Sequence, residues 1–599
     1  MLPSYYVTPN DQDDDDGTTS RSLILIQKKK NQYRQYGPRV PLSIEIHKMK
    51  YCQHGETFYE VMTRIADHLK DFNDHFHILR EILLDARFLP AGRIQAGAGA
   101  SREVTLCNCY VSRTIEDNMK SIMAAATEAA ETLRMGGGIG YDFSSLRPRG
   151  DMINSLDSRS SGPISFMDIF NSVCRTISSA GHRRGAQMGV MRVDHPDIEL
   201  FVRAKHNDTD LTNFNLSVGV TDEFMKAVEK DNAFDLKFEG RVYRTVRARG
   251  LWDEIMRSTF AWAEPGILFI DRINQMNNLY YCEKIEATNP CGEVPLPPYG
   301  ACLLGSFNLV RYVRYVKSKY IFDDAQFKRD IPPVLRAMDN VIDRSVYPLH
   351  TQWEEHHSTR RIGIGLTGLA NAIETLGFPY ASPMFLEKQE HIYQILRDTL
   401  YETSIELAIE KGTFSKYDKE KYSQSPFIQT LPSPIQSKIQ KHGIRNSHLL
   451  SAAPCGTISL CADNVSSGIE PVFSLSYQRT VRSFDSVTEE TVNDYAYQKW
   501  GTKGKTAMEL SPDEHLAVLT MAQKYVDAAC SKTINCASSI TWDDFRDIYM
   551  KAWKNGCKGV TTFRPSGERK GILSVEKKEN KKEETVVVCT REPGCKTCE

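Results

Sequence analysis

Between about residues 100 and 570, apolar runs with strand character alternate with stretches of helical periodicity. "NFNLSVGV" (213–220) leads into "TDEFMKAVEKD" (221–231), and "LWDEIMRSTFAWAE" (251–264) leads into "GILFID" (266–271). That order predicts an α/β architecture with buried, largely parallel strands. No repeat of solenoid length cuts across it.

Three flanking segments read differently. Residues 1–40 carry "DQDDDDGTTS" and "QKKKNQYRQYGPR", charge blocks expected of a solvated tail. Over 41–105, "ETFYEVMTRIADHLKDF" (56–72) and "HFHILREILLDARFLP" (75–90) space their apolar residues as helices do, the second closing at Pro90. The structured domain is then placed at 106–573. Residues 574–599 form a charged, low-complexity tether ending in Cys595-Lys596-Thr597-Cys598.

Composition removes several function classes. With 599 residues the chain can bury a large core. Its net charge of −1 gives no basic footprint for nucleic acid. "LILI" (23–26) is far short of the ~20 apolar residues of a membrane span, and no secretory leader is expected. Fifteen dispersed cysteines do not form a compact disulfide framework. A reducing, cytoplasmic setting is expected, with any disulfide catalytic.

The chemistry concentrates in "NPCGEVPLPPYGACLLGSFNL" (289–309). Pro290 and Gly292 favour a loop, with Asn289, Cys291 and Glu293 at alternate positions that can face one side. Cys291 has no histidine beside it, and Glu293 would raise its pKa by like-charge repulsion. A protonated thiol that gives up a hydrogen atom fits better than a thiolate nucleophile; a Pro/Gly-rich surface loop with an incidental cysteine is the bland alternative. Cys107, Cys109 and Cys302 are further thiols. Two that approach one another can deliver two electrons by becoming a disulfide, which must then be reset from outside. A Cys-X-X-Cys on a flexible tether can do this at high effective concentration. Zinc bound by Cys589, Cys595 and Cys598 is the alternative for the tail.

The 289–309 segment closely resembles the active-site finger loop of ribonucleotide reductase catalytic chains, especially the adenosylcobalamin-dependent class II enzymes. "NCYV" (108–111), "MGGGIGYDFSSLRPRG" (135–150), "SSGPISFMDIF" (160–170), "RRGAQMGVMRVDHPDIELF", "EPGILFIDRIN", "APCGTISLCADNVSSGIEPVF" (453–473) and "GVTTFR" (559–564) also look like family signatures, in the family's order. The resemblance implies a ten-stranded α/β barrel of two five-stranded halves, the finger loop threading its centre. It implies that a Cys291 thiyl radical removes the ribose 3′-hydrogen while Glu293 handles the 3′-hydroxyl proton and Asn289 holds the substrate. Cys109 and Cys302 would then supply the reducing equivalents as the 2′-hydroxyl leaves as water. Cys595 and Cys598 would re-reduce that pair and be served by a thioredoxin-like partner. Cys107 reads as a buried small residue.

The family pattern further assigns Asn108, Gly138, Ser165 and Pro454 through Ile458 (Pro454, Cys455, Gly456, Thr457, Ile458) to substrate. Cys455 stands where a threonine or another small polar residue is expected. A plain helix cap is the alternative for "APCGTIS", although backbone N–H groups at such a helix start can also cradle a phosphate. Asp117, Asn118, Met119 and Arg147 match the positions that bind a deoxynucleotide or ATP effector at a homodimer interface, with 204–215 as the loop carrying the message. Asp117 as an N-cap and Arg147 in a surface ion pair are the alternatives. The N-terminal region does not read as an ATP cone.

The tyrosine pair by which class I chains import a radical is expected within "KGVTTFR" (558–564), where Thr561 and Thr562 stand instead. Tyr280 and Tyr281 read as packing. No glycyl-radical segment stands near the C-terminus, which leaves adenosylcobalamin as the cofactor. Two readings stay open beside it: a class I-like chain served by a separate radical-generating subunit, and a non-catalytic nucleotide-binding relative. No metal ligand set is assigned.

Overall fold

The computed structural model describes residues 36–53, 55–177, 185–207, 210–482, 487–565, 573–574 and 587–588. The acidic run near the start and the terminal Cys595 and Cys598 lie outside the described residues. The strands that position the site are β1 (Phe88–Pro90), β2 (Cys109–Val111), β3 (Gly138–Asp142), β4 (Gln187–Arg192), β5 (Phe214–Val220), β6 (Gly266–Phe269), β7 (Ala287–Thr288), β8 (Pro295–Leu296), β9 (Ala301–Cys302), β10 (Leu304–Asn308), β11 (Gly363–Thr367), β12 (Thr533–Asn535) and β13 (Gly559–Phe563). The helices needed below are α1 (Pro41–Tyr51), α2 (Phe58–Leu69), α3 (Asn73–Leu84), α4 (Met119–Arg134), α5 (Pro163–Thr176) and α6 (Gly456–Cys461).

Eight strands form one sheet in the order β9-β2-β3-β4-β5-β6-β13-β12. The run from β2 to β6 is parallel, as the alternation of strands and helices predicts. The pairs β9–β2 and β6–β13 are antiparallel, and β12–β13 is parallel. A second sheet has the order β1-β10-β11. The two meet on one side where Cys302 of β9 is followed, after one residue, by Leu304 of β10. On the other side, lone parallel bridges from Ile364 to Leu450 and from Ala452 to Cys530 carry the order from β11 round towards β12. The ladders are thus of eight and three strands, where two halves of five were expected.

The N-terminal region is helical but not only helical. α2 starts at a capping box between Thr57 and Glu60 and buries Phe58, Val61, Met62, Ile65, Ala66 and Leu69, one apolar stripe at helical spacing. α3 ends at Leu84, six residues before the expected close at Pro90. Ala86 takes a positive φ of 51°, and Phe88–Pro90 runs extended, antiparallel to β10. The residue before a proline resists the helical region, so Leu89 is better placed in a strand. Leu573–Ser574, at the expected domain end, and Val587–Val588, within the expected free tether, pair beside Ser476–Arg482 in a separate small sheet.

The large sheet has an outer and an inner face, told apart by strand alternation. On the outer face, Tyr141 packs against Phe170 of α5 with ring centroids 4.8 Å apart. A Cβ at Gly189 would lie 2.8 Å from Met167 Cε of the same helix. On the inner face, Gly140 of β3 pairs in register with Met188 of β4, which pairs with Asn215 of β5. A side chain at Gly140 would collide with the Thr288 carbonyl oxygen. The β7–β8 ribbon therefore crosses the inner face.

Candidate active site

Residues 289–294 form the tip of the β7–β8 ribbon. The Gly292 N–H bonds the Asn289 carbonyl at 3.0 Å, closing a tight turn in which Gly292 adopts a φ of +81°. That conformation suits glycine, since a Cβ would strain it. Nothing lies within 4 Å of where that Cβ would sit, so the tip has open space beside Cys291. Cys291 is partly exposed, whereas Asn289 and Glu293 are buried.

The tip is held through the Asn289 side-chain oxygen and through main-chain carbonyls. Asn289 Oδ1 accepts from the Val294 N–H at 3.0 Å and from Thr288 Oγ1 at 3.1 Å. Its Nδ2 is buried with no hydrogen-bond partner among the described residues. A buried donor of this kind costs about 1–3 kcal/mol unless a ligand accepts from it. The Glu293 carbonyl accepts from the Ala529 N–H at 2.9 Å and Ser451 Oγ at 3.1 Å. The Pro290 carbonyl accepts from Asn215 Nδ2 at 2.9 Å.

The second pair of thiols lies next to this tip. Cys109 and Cys302 are direct partners across the antiparallel β2–β9 ladder. Facing residues in such a ladder have Cα atoms roughly 4.5–5.5 Å apart, within the range a disulfide spans. Gly138, paired with Cys109, sits in a tight place. A Cβ there would lie 3.1 Å from Pro290 Cγ, 3.2 Å from Cys109 Sγ and 3.2 Å from the Ala186 carbonyl. Gly138 thus lets the ribbon tip reach Cys109. Burial holds the Cys302 thiol well above the ordinary range, with Cys109 and then the Glu293 carboxylate adding to the effect. Cys302 is a protonated thiol. The Asn108 N–H donates to the Cys302 carbonyl at 2.9 Å, and the Asn108 carbonyl accepts from the Gly138 N–H at 3.0 Å, tying both strands to one residue.

Cys107 faces elsewhere. It packs with Tyr110, Ala301 and Tyr347, its Sγ 3.7 Å from His356 Nδ1, and burial pushes its thiol up to about 11. The buried small residue expected at this position is what the fold shows.

Residues 454–458 enter α6. Cys455 sits at the N-cap with a φ of 60°, and the cap has no side-chain hydrogen bond. Its Sγ turns inward, 3.0 Å from Ser306 Oγ of β10, and burial raises the thiol to about 11. Glu293 contributes to that shift as it does at Cys302, which places its carboxylate within electrostatic reach of both thiols. Pro454 and Thr457 are half-buried, and Gly456 and Ile458 are buried. Ser43 Oγ of α1 donates to the Leu460 carbonyl at 2.6 Å and fixes α6 from behind.

The expected effector residues gather into a separate patch at the start of α4. Arg147 Nε lies 2.5 Å from Asp117 Oδ2, and the Arg147 N–H donates to Asp117 Oδ1 at 3.1 Å. The N-cap of α4 is Asn118, accepting from the Ser121 N–H, not Asp117; Met119 is exposed. Ser165 is exposed on α5, where its Oγ donates to the Ser161 carbonyl at 3.1 Å.

Thr561 and Thr562 lie in β13, alongside Thr533 and Ile534 of β12. Thr562 Oγ1 meets Tyr549 OH at 2.8 Å; no phenol occupies either strand position. Tyr280 and Tyr281 pack edge to face, as expected, and Tyr281 OH donates to the Lys416 carbonyl. Sequence reasoning missed Gly140 and Asn215. The Gly138-Ile139-Gly140 spacing puts both glycines on one strand face, a legible sign of close backbone approach. Asn215, an amide inside an apolar strand, was the other signal.

The family described as "Ribonucleotide reductase, barrel domain" matches residues 107–563. The vitamin B12-dependent ribonucleoside-diphosphate reductase of Mycobacterium tuberculosis (strain CDC 1551 / Oshkosh) is 36% identical over 524 residues, 82% of this chain and 72% of the relative. The protein of the same name from Thermoplasma acidophilum is 33% identical over 560 residues, 88% of this chain and 70% of the relative. The ribonucleoside-diphosphate reductase subunit alpha of Chlamydia pneumoniae is 25% identical, across 86% of this chain and 59% of the relative. With its ribbon tip over a facing cysteine pair, the chain belongs to the ribonucleotide reductase family.

Proposed function

We propose that this chain reduces ribonucleoside diphosphates to 2′-deoxyribonucleotides, with adenosylcobalamin as the radical source. The observation that carries the reading is the juxtaposition of Cys291 on the ribbon tip with Cys109 and Cys302, which face one another across β2 and β9. The site suits a group that must meet Cys291 from one side: the space beside Gly292 is open, and Asn289 Nδ2 offers a buried donor. When bound, adenosylcobalamin supplies, by cobalt–carbon homolysis, a radical able to take a hydrogen atom from a thiol.

The chain's own residues do the rest. Cys291 loses its hydrogen atom, withdraws one from the ribose 3′-carbon, and returns it to that carbon after the 2′-hydroxyl has left and the thiol pair has been oxidised. Glu293, inside the site and near both other thiols, takes the 3′-hydroxyl proton, while Asn289 Nδ2 donates to the sugar. As the 2′-hydroxyl leaves as water, Cys109 and Cys302 give up two electrons and their protons and join as a disulfide. Main-chain N–H groups at 456–458 hold the phosphates, the Cys455 side chain being turned away. Asp117, Asn118, Met119 and Arg147 form the effector patch of a homodimer. Cys595 and Cys598 return the Cys109–Cys302 pair to thiols and are themselves served by a thioredoxin-like protein. The product class is the precursor pool for DNA.

The test is conversion of CDP to dCDP by the purified chain with a dithiol and a deoxynucleotide effector, with and without adenosylcobalamin. Product only with the cobalamin is the expected result. Product without it, or none with either CDP or CTP, overturns the reading.

A further inference from the structure

The loop bearing Cys291 is held by its main chain, and one of those contacts falls on the peptide group that aims the thiol. The Pro290 carbonyl belongs to the peptide joining Pro290 to Cys291, and Asn215 Nδ2 donates to it at 2.9 Å. We propose that Asn215 is a positioning residue that sets the direction of the Cys291 thiol; this rests on the radical role given to Cys291 above.

The geometry supports this in three ways. The proline ring fixes φ of Pro290, so ψ of that residue is the soft torsion that swings the following peptide plane. A hydrogen bond to the carbonyl oxygen restrains that torsion. On the far side, Gly292 has no atom within 4 Å of its missing Cβ and adopts a φ of +81°, so packing there does not oppose rotation of the tip.

The donor is itself braced. The Asn213 N–H and Nδ2 both donate to Asn171 Oδ1 of α5, at 3.1 and 3.0 Å. Lys205 Nζ donates to the Phe214 carbonyl and pairs with Glu264 at 2.8 Å. The residue before Asn215 and the one before that are thus tied to the outer helix and a buried ion pair. Asn215 then presents its amide from the inner-face row Gly140–Met188–Asn215, over which the ribbon passes. Its side chain reaches the ribbon from a strand fixed at its base.

The test compares Asn215→Asp, which keeps the size and loses the donor at neutral pH, with Asn215→Ala. Both are assayed for CDP reduction with adenosylcobalamin, and separately for the rate at which iodoacetamide alkylates Cys291, read by mass spectrometry in the full chain without cofactor. A loss of kcat of ~10–100-fold is expected, the scale on which small misplacements of reacting atoms act, with KM for CDP held within about threefold. The alkylation rate at Cys291 is expected to change ~threefold or more as the thiol samples new surroundings, while alkylation of exposed Cys282 stays constant. Wild-type kcat and wild-type alkylation in Asn215→Asp overturn the proposal. If Asn215→Asp fails to fold, Asn215→Ala decides by the same two readouts. Should the wild-type chain show no reductase activity, the function reading fails, and the alkylation rates alone decide whether Asn215 positions the thiol.

Discussion

At the residue scale, protonation separates Cys302 from an ordinary nucleophile. Burial and a neighbouring carboxylate hold Cys302 in its neutral form, which suits hydrogen-atom and two-electron chemistry and disfavours thiolate attack. Replacing Cys291 by Ala is expected to abolish turnover while nucleotide affinity changes less than about threefold, since a partly exposed thiol contributes little binding. Product from that variant, measured as dCDP, removes Cys291 from the radical role. Cys455 gives a contrasting expectation. Its Sγ faces Ser306 rather than the α6 N-terminus, so Cys455→Ser should leave KM for CDP within about threefold, as main-chain anion binding predicts. A tenfold rise in KM would show that the side chain reaches the phosphates.

At the element scale, the ribbon depends on two glycines of β3 that differ in how much room they have. Gly140→Ala drives a methyl into the Thr288 carbonyl, and backbone must shift. Overpacking of this kind costs about 1–3 kcal/mol, and dCDP formation is expected to fall ~100-fold as the tip moves. Gly138→Ala meets Pro290, Ala186 and Cys109 at 3.1–3.2 Å, which a slight shift can relieve, and its effect on both thermal stability and rate should be the smaller. Equal effects would mean that the ribbon does not rest on β3. These elements also show what sequence can reveal. The turn carrying Asn289, Cys291 and Glu293 was legible because Pro290 and Gly292 are local signals. The α/β alternation was legible because parallel strands need helical crossovers. The facing of Cys109 and Cys302 was implied by family resemblance alone, since no local pattern encodes a ladder between distant segments. Phe88–Pro90 lost its helical reading because apolar spacing over three residues fits a strand equally well.

At the scale of the whole molecule, buried thiols couple stability to alkaline pH. Burial raises Cys107, Cys455 and Cys557 from 9.0 to about 11, and Cys174 and Cys536 to about 12. Between those values the folded chain keeps protons that the unfolded chain has released, so stability falls as pH rises through 9. Lys558 opposes this: burial lowers it from 10.5 to about 8, and that single group favours folding as pH climbs between the two. Lys532, lowered likewise by burial, acts in the same direction, and the five thiols outweigh the two lysines. The melting temperature of the fully reduced chain should be flat from pH 7 to 8 and fall clearly between pH 9 and 10; a flat curve to pH 10 would contradict the burial of these thiols. The tail belongs to this scale as well. Cys595→Ser with Cys598→Ser is expected to stop multiple turnover with thioredoxin yet leave turnover with a small dithiol, and equal failure with both reductants would give the tail another role.

Cys302 also stands where one sheet passes into the other, separated from β10 by a single residue. Joining it to Cys109 would rivet the seam and close a very long loop in the unfolded chain, the circumstance in which a cross-link stabilises most. A spent molecule awaiting reductant would then be harder to melt than a fresh one. On the proposed cycle, heat resistance would gauge how much of the population has fired, readable without following substrate at all.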